Sequence, residues 1–163
     1  MPATIRKYVV DAGVARSSGK GQSEDPLSNR CRFVLQRIQS IRRFHVLFNE
    51  KLIGEWDEHR SSFAADWFQL MTSRGRVKKA ERRPSIADEL DEETVNRIPD
   101  RTKKDLHLID AALVANKRLF TNDTYIEVDF CQADAGTWRG LGIKIILISQ
   151  REDCGEELGC NIP

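Results

Sequence analysis

The chain has no apolar run long enough to cross a membrane: nothing in its 163 residues approaches the roughly 18 consecutive apolar positions such a helix needs. No secretory signal is expected either. The opening residues MPATIRKYVVDAG carry basic side chains and a short apolar run, but Asp11 ends that run before a small-residue cleavage site develops. A cytoplasmic location is the expectation. Cysteine is sparse, and Cys31, Cys131, Cys154 and Cys160 show neither the two-residue spacing nor the histidine partners of a zinc site. Cys31 and Cys131 lie in amphipathic stretches and read as small apolar core groups. Cys154 and Cys160 fall in REDCGEELGCNIP, which reads as a polar tail over 151–163 after a domain spanning 1–150.

Two catalytic patterns are missing as well. SSGKGQS lacks the earlier glycine and the following hydroxyl residue of a phosphate-binding loop, since Gly21 follows Lys20, and this excludes an ATPase of that type. His45, His59 and His107 have no partner pattern of a nucleophilic triad. His45, inside an apolar strand, reads as a satisfied core histidine. His59, one turn beyond Glu55, reads as solvent-exposed. His107, two residues after Asp105, is expected to face another side of its helix.

An excess of one charge is absent too. The net charge is +1, so the whole molecule does not advertise a polyanion partner. The distribution is uneven. RGRVKKAERR (74–83) holds six cations and one anion, Arg42 and Arg43 add a pair, and DELDEE (88–93) is acidic. Such alternation reads either as a solvated connector or as a nucleic-acid contact.

What is present alternates between strand-like and helix-like runs. Ile5 to Val10 is a short strand-like run whose Tyr8, Val9 and Val10 are continuously apolar, the kind buried on both faces of a parallel sheet. A Gly- and Ser-rich loop leads to Pro26, and Leu27, Cys31, Val34, Leu35, Ile38 and Ile41 then recur at helical spacing. FHVLF (44–48) is a second strand. A helical region follows from about residue 50, with Trp56, Phe63 and Trp67 on a heavy aromatic face that suits the core or a dimer interface. Ser85, with Asp88 three residues on, is positioned to cap a helix to about Arg97. A helix from near Thr102 is expected to carry Lys117 and Arg118 in its last turn. RLFT is a short strand, Asp123 starts a helical segment to about Phe130, and IKIILI (143–148) is the last strand. This order predicts an α/β domain: a three-layer α/β/α sandwich around a mainly parallel sheet.

Parallel sheets bind ligands outside the carboxyl ends of their strands. The acids at those exits are Asp11 after the first strand, Glu55 in the helix after the second (with Glu50 a nearer competitor), Asp105 at a helix start, and Asp123 leaving FTND. Asp110 lies mid-helix and reads as structural or solvated. Each of the four also has a plain reading as a cap or a solvated acid. Together they form a set that cannot stay ionised at close quarters without a cation. An all-oxygen set suits Mg²⁺ or Mn²⁺, and such a metal can activate water against a phosphodiester.

These residues resemble the PIN domain family of metal-dependent ribonucleases, many of them toxins of toxin–antitoxin pairs. YVVDAGVA is similar to the family's opening strand and first aspartate, and LIGEW to its glutamate-bearing helix. The spacing from Asp105 through the helix and LFT to TND is similar to its third and fourth acidic positions. The resemblance covers roughly residues 5 to 130. It implies that Asp11, Glu55, Asp105 and Asp123 hold one or two Mg²⁺ or Mn²⁺ ions, with Thr121 and Asn122 in support. Arg16, Lys20, Arg74 and Arg76 are the residues expected to guide an RNA substrate. It also implies hydrolysis without a covalent enzyme intermediate, a possible antitoxin partner, and a possible homodimer. The chain departs from a minimal family member in its long first loop, its 74–100 connector and its tail, and Glu127 and Asp129 are alternative acids after Asp123. A non-hydrolysing RNA- or protein-binding module and a DNA-directed nuclease are the competing readings.

Overall fold

The computed structural model describes residues 4–19 and 25–163. Five strands form one sheet in the order β3-β2-β1-β4-β5: β1 (Arg6–Val10), β2 (Phe44–Phe48), β3 (Val77–Lys79), β4 (Arg118–Thr121) and β5 (Lys144–Leu147). Every pairing is parallel. The fold is an α/β/α sandwich. Among the described residues no helix is long and apolar enough to cross a membrane.

The helices are α1 (Ala12–Ser17), α2 (Pro26–Ser40), α3 (Glu50–His59), α4 (Ser62–Ser73), α5 (Ile86–Glu89), α6 (Glu92–Arg97), α7 (Asp100–Lys104), α8 (Leu106–Val114), α9 (Tyr125–Leu141) and α10 (Arg151–Leu158). Helix α2 packs against α4, α10 and β2, and α8 packs against β1 and β4. Val9, Val10, Val46, Leu119, Phe120 and Ile146 are fully buried between these layers, as expected of strands that are apolar on both sides.

Several elements differ from the reading of the sequence, each for a local reason. The first loop contains α1, because Asp11 caps a helix immediately after β1. The basic stretch 74–83 contains β3, a short edge strand whose lysines stay exposed. Ser85 does cap a helix, but Leu90 is extended, and Asp91 starts α6 by accepting from the Thr94 amide at 2.8 Å. The helix expected from Thr102 is broken at Asp105 and ends at Val114. Lys117 then adopts a left-handed φ of 56°, so neither it nor Arg118 lies in a helical turn. Helix α9 runs on to Leu141 through a break at Asp134, whose carboxylate recaps the chain by accepting from Thr137.

The segment read as a polar tail holds α10, an amphipathic helix that buries Cys154, Glu157 and Leu158. Glu157 anchors it at the amino ends of the strands. Its carboxylate accepts from the Tyr8 hydroxyl at 3.0 Å and lies 2.7 Å from Arg118 Nε and 3.4 Å from Lys144 Nζ. Burial, together with the Glu157 charge, pushes the Tyr8 phenol up to about 12.

The aromatic face at 56–71 is buried within the chain. Trp56 and Trp67 are almost inaccessible, and Phe48 and Phe68 meet Trp56 at ring distances of 5.1 and 5.9 Å. Contacts of this kind each contribute about 0.5–1.5 kcal/mol beyond area burial. The face is therefore core, and it gives no argument for a dimer.

Candidate functional site

Strand order reverses direction at β1: the chain builds outward through β2 and β3, then returns to place β4 and β5 on β1's other side. Between the carboxyl ends of β1 and β4 no crossover covers the sheet, which is where parallel sheets leave a crevice. Asp11 leaves β1 at that point, and Asn122 and Asp123 leave β4 beside it.

Asp11 is both a cap and a site residue. Its Oδ1 accepts from the Gly13 amide at 3.3 Å, and its Oδ2 accepts from the Thr121 hydroxyl at 2.8 Å. Thr121 Oγ1 in turn accepts from the Asp123 amide at 3.0 Å, tying the two strand exits together. Asn122 Nδ2 donates to the Gly13 carbonyl at 3.3 Å, which fixes α1 against the β4 turn.

Glu55 arrives on α3. The next residue, Trp56, donates its indole N–H to the Val10 carbonyl at 2.9 Å, so this turn of α3 is pinned to the end of β1. Glu55 Oε2 meets His107 Nε2 at 2.7 Å, and His107 Nδ1 lies 2.9 Å from the Lys104 carbonyl. A carbonyl only accepts, so Nδ1 donates. His107 thus bridges the Lys104 carbonyl and the Glu55 carboxylate.

Asp105 joins α7 to α8 with φ −99° and ψ 2°, and its side chain makes no cap hydrogen bond. The carboxylate is therefore free to face the crevice, where the Tyr125 hydroxyl donates to it at 2.7 Å. Arg101 stacks on the Tyr125 ring at 4.8 Å while binding Asp129 through Nε and a terminal nitrogen at 2.7 and 2.6 Å.

Asp11, Glu55, Asp105 and Asp123 line a single cleft of about 420 Å³, together with Arg16, His59 and Asn122. Burial pushes the Asp11 carboxyl up to about 7; repulsion from Asp123 and Asp105 adds to this, while the Thr121 hydroxyl opposes it. Burial also raises Asp105, with Asp123 and Glu55 adding and the Tyr125 hydrogen bond and His107 opposing. Among the described residues, the cleft lining holds four carboxylates against one Arg, Arg16.

Among the described residues, no three Asp, Glu, His or Cys side chains converge closely enough to enclose a metal ion. A closed, all-protein cage is therefore excluded for these side-chain positions. An open site is a different matter, since Mg²⁺ is commonly held by one or two carboxylates, with water and phosphate oxygens filling the rest. The oxygen-only donor set and the raised Asp11 carboxyl fit that kind of site.

Neither a comparison with models of known protein families nor a search of curated proteins returns a match.

The other acids are accounted for elsewhere. Glu50 lies 3.4 Å from Lys79 and 3.7 Å from Arg82, outside the cleft. Asp110 caps α5, accepting from the Ile86 amide at 2.7 Å and the Ser85 hydroxyl at 3.2 Å. Asp129 is buried against Arg101 and Thr102, and Glu127 accepts from Trp138 Nε1 at 3.4 Å.

Of the expected substrate-guiding cations, Arg16 lines the cleft and Lys20 lies outside the described residues. Arg74 and Arg76 are displaced from it. They precede β3, so in an all-parallel sheet they stand at the amino end, opposite Asp11. Arg76 is 5% exposed and its guanidinium donates to the carbonyls of Gln39 and Ile41 at 2.5 and 2.7 Å, closing the carboxyl end of α2. It is a structural residue.

His107 and Tyr125 escape the sequence reading. A continuous helix would set His107 and Asp105 on different sides; with the break at Asp105, His107 reaches Glu55 while Asp105 lines the cleft. Tyr125 carries no signal beyond its place two residues after Asp123.

Proposed function

We propose that the chain is a Mg²⁺- or Mn²⁺-dependent endoribonuclease of PIN type. The observation that carries this reading is the meeting of four carboxylates, from four separate segments, in one cleft where the strand order reverses. Asp11, Asp105, Asp123 and Glu55 would hold the metal, Glu55 by sharing its carboxylate with His107. When bound, such an ion activates a water for attack on the phosphodiester and stabilises the leaving oxygen.

The chain's own residues prepare the rest. Thr121 orients Asp11, Tyr125 orients Asp105, and His107 orients Glu55, so three of the carboxylates have fixed directions. Arg16 at the cleft mouth offers a cation to an incoming phosphate. The toxin role, with an antitoxin as partner, extends this proposal. The resemblance alone supports that extension.

A second reading has its own observation. Because no three donors converge and Glu55 is already paired with His107, a PIN-type module that binds without cutting also suits the geometry. Titration calorimetry with Mn²⁺, alongside cleavage of single-stranded RNA and DNA, separates the two. Mn²⁺-stimulated cleavage of RNA that is lost in Asp11→Asn is the expected result. Absence of Mn²⁺ binding at millimolar concentration supports the binding module, and equal cleavage of DNA replaces RNA as the substrate class.

A further inference from the structure

The amino end of the sheet carries the opposite charge to the cleft. Lys7 of β1 is in register with His45 of β2, and Leu47 of β2 with Lys78 of β3. Residues two apart on a strand share a face, so Lys7, His45, Leu47 and Lys78 stand together on one side of the sheet. They line a cavity of about 940 Å³ with the aliphatic Ile5 and Val114, and one carboxylate, Glu81, also borders it.

Like charges side by side across strands destabilise a sheet. Here the cations have no counter-ion in place. Among the described residues, the side chains of Lys7, His45 and Lys78 make no ion pair or hydrogen bond, and His45 Nδ1 is buried without a partner. His45 is thus not the satisfied core histidine the sequence suggests. Burial holds it below its ordinary pKa, with Lys78, Arg76 and Lys7 adding to the effect. His45 also borders a second groove, of about 760 Å³, that carries Arg42, Arg74 and Arg76.

Lys79 and Arg82 share Glu50, and Arg83 is within 2.5 Å of Glu89. Along the first groove Lys7 and Lys78 carry no such partner, whereas Lys79, which also lines it, is held by Glu50; along the second, Arg76 is engaged by backbone carbonyls, and Arg42 and Arg74 make no ion pair among the described residues.

We propose that these joined grooves bind the phosphodiester backbone of single-stranded nucleic acid, at the end of the sheet opposite the carboxylate cleft. Phosphates recurring along a strand match cations strung along a track, and an aliphatic floor accepts the faces of unstacked bases. Strand β1 spans only about 17 Å at roughly 3.3 Å per residue, so a strand of several nucleotides could reach both ends. The groove stands on its own observations and does not depend on hydrolysis in the cleft.

Fluorescence anisotropy of a labelled single-stranded RNA, measured in EDTA so that no cleavage occurs, tests the site. Lys7→Gln/Lys78→Gln should weaken binding and reduce the salt slope by about 1.4, since each lost single-strand phosphate contact removes roughly 0.7. Arg42→Gln/Arg74→Gln tests the second groove by the same measure and alters residues remote from the first. In the unmodified protein, RNA should shift the proton NMR signals of the His45 ring. Unchanged affinity and slope in both variants, or an unmoved His45 signal at saturation, overturns the proposal. So does polyglutamate binding as tightly as RNA, which would make the partner an acidic protein. Mn²⁺-dependent cleavage of a dinucleotide, too short to reach the groove, should be the same in all variants, so failure here is distinguishable from failure of the nuclease reading.

Discussion

Trp56 Nε1 donates to the Val10 carbonyl across 2.9 Å, and the residues flanking that bond are Glu55 and Asp11. A buried hydrogen bond made by an aromatic core residue thereby sets the spacing of two carboxylates that are distant in sequence. Trp56→Phe keeps most of the packing and removes the donor, leaving a buried carbonyl unsatisfied. Stability should fall by about 1–3 kcal/mol in urea denaturation. Mn²⁺ affinity should fall with it, because Glu55 loses its fixed distance from Asp11.

The Asp11 carboxyl gives the metal-free protein a distinctive pH dependence. Its value in the fold, about 7, lies above the ordinary 3.8, so the folded chain binds the extra proton. The associated stability is complete below about pH 3.8 and is lost as pH rises toward and through 7. His45, lowered in the fold, acts in the other sense, removing stability as pH falls below its ordinary 6.5. The difference between the unmodified protein and Asp11→Asn isolates the first effect. In EDTA, thermal melts from pH 4 to 8 should show Tm falling with pH more steeply in the unmodified protein than in the variant. Mn²⁺ should remove that difference.

Tyr125 lowers Asp105 through its hydrogen bond, opposing burial. Tyr125→Phe should therefore raise the Asp105 carboxyl further, as read by carbon NMR titration of labelled aspartates. An unchanged or lowered value would remove Tyr125 from the positioning role assigned to it.

Asp129 is the acid that sequence position makes a rival ligand, and its partners are instead Arg101 and Thr102. The Arg101 guanidinium holds it below the usual carboxylate range. Its stabilisation is present above about pH 3.8 and is lost on acidification below that value. Asp129→Asn should cost about 1.5–3 kcal/mol, typical of hydrogen bonds to a charged group, with Mn²⁺ affinity unchanged by calorimetry.

Removing residues 151–163 should be severe. It uncovers core on α2 and β5 and takes Glu157 away from Tyr8, Arg118 and Lys144. The shortened chain should lose its cooperative thermal transition. Glu157→Gln, which keeps the helix, should lower Tm while preserving the fold by circular dichroism.

The strands and the acids were legible for one reason: a parallel sheet announces itself in apolar runs, and its ligands emerge where those runs stop. Asp11 and Asp123 are read directly from that rule. The elements that were not legible carry little apolar signal. Strand β3 is VKK, an edge strand whose pairing comes from backbone groups. Helix α10 buries a narrow stripe that includes a glutamate, so its composition resembles a tail. Arg76 looked like a substrate contact because charge alone cannot distinguish a guanidinium facing solvent from one closing a helix end. His107 was hidden by the break at Asp105, which no residue in KKDLHL signals.

The hydrogen bond from Thr121 to Asp11 joins residues 110 positions apart. Everything between them must be synthesised before β4 can pair with β1 and close the cleft. Contacts of that separation form late, after the loop entropy between them has been overcome. For a protein proposed to cut RNA, this has a consequence during its own synthesis. On that reading the growing chain carries Asp11 and Glu55 but no assembled site, and it should be inert toward the message being read until β4 has left the ribosome.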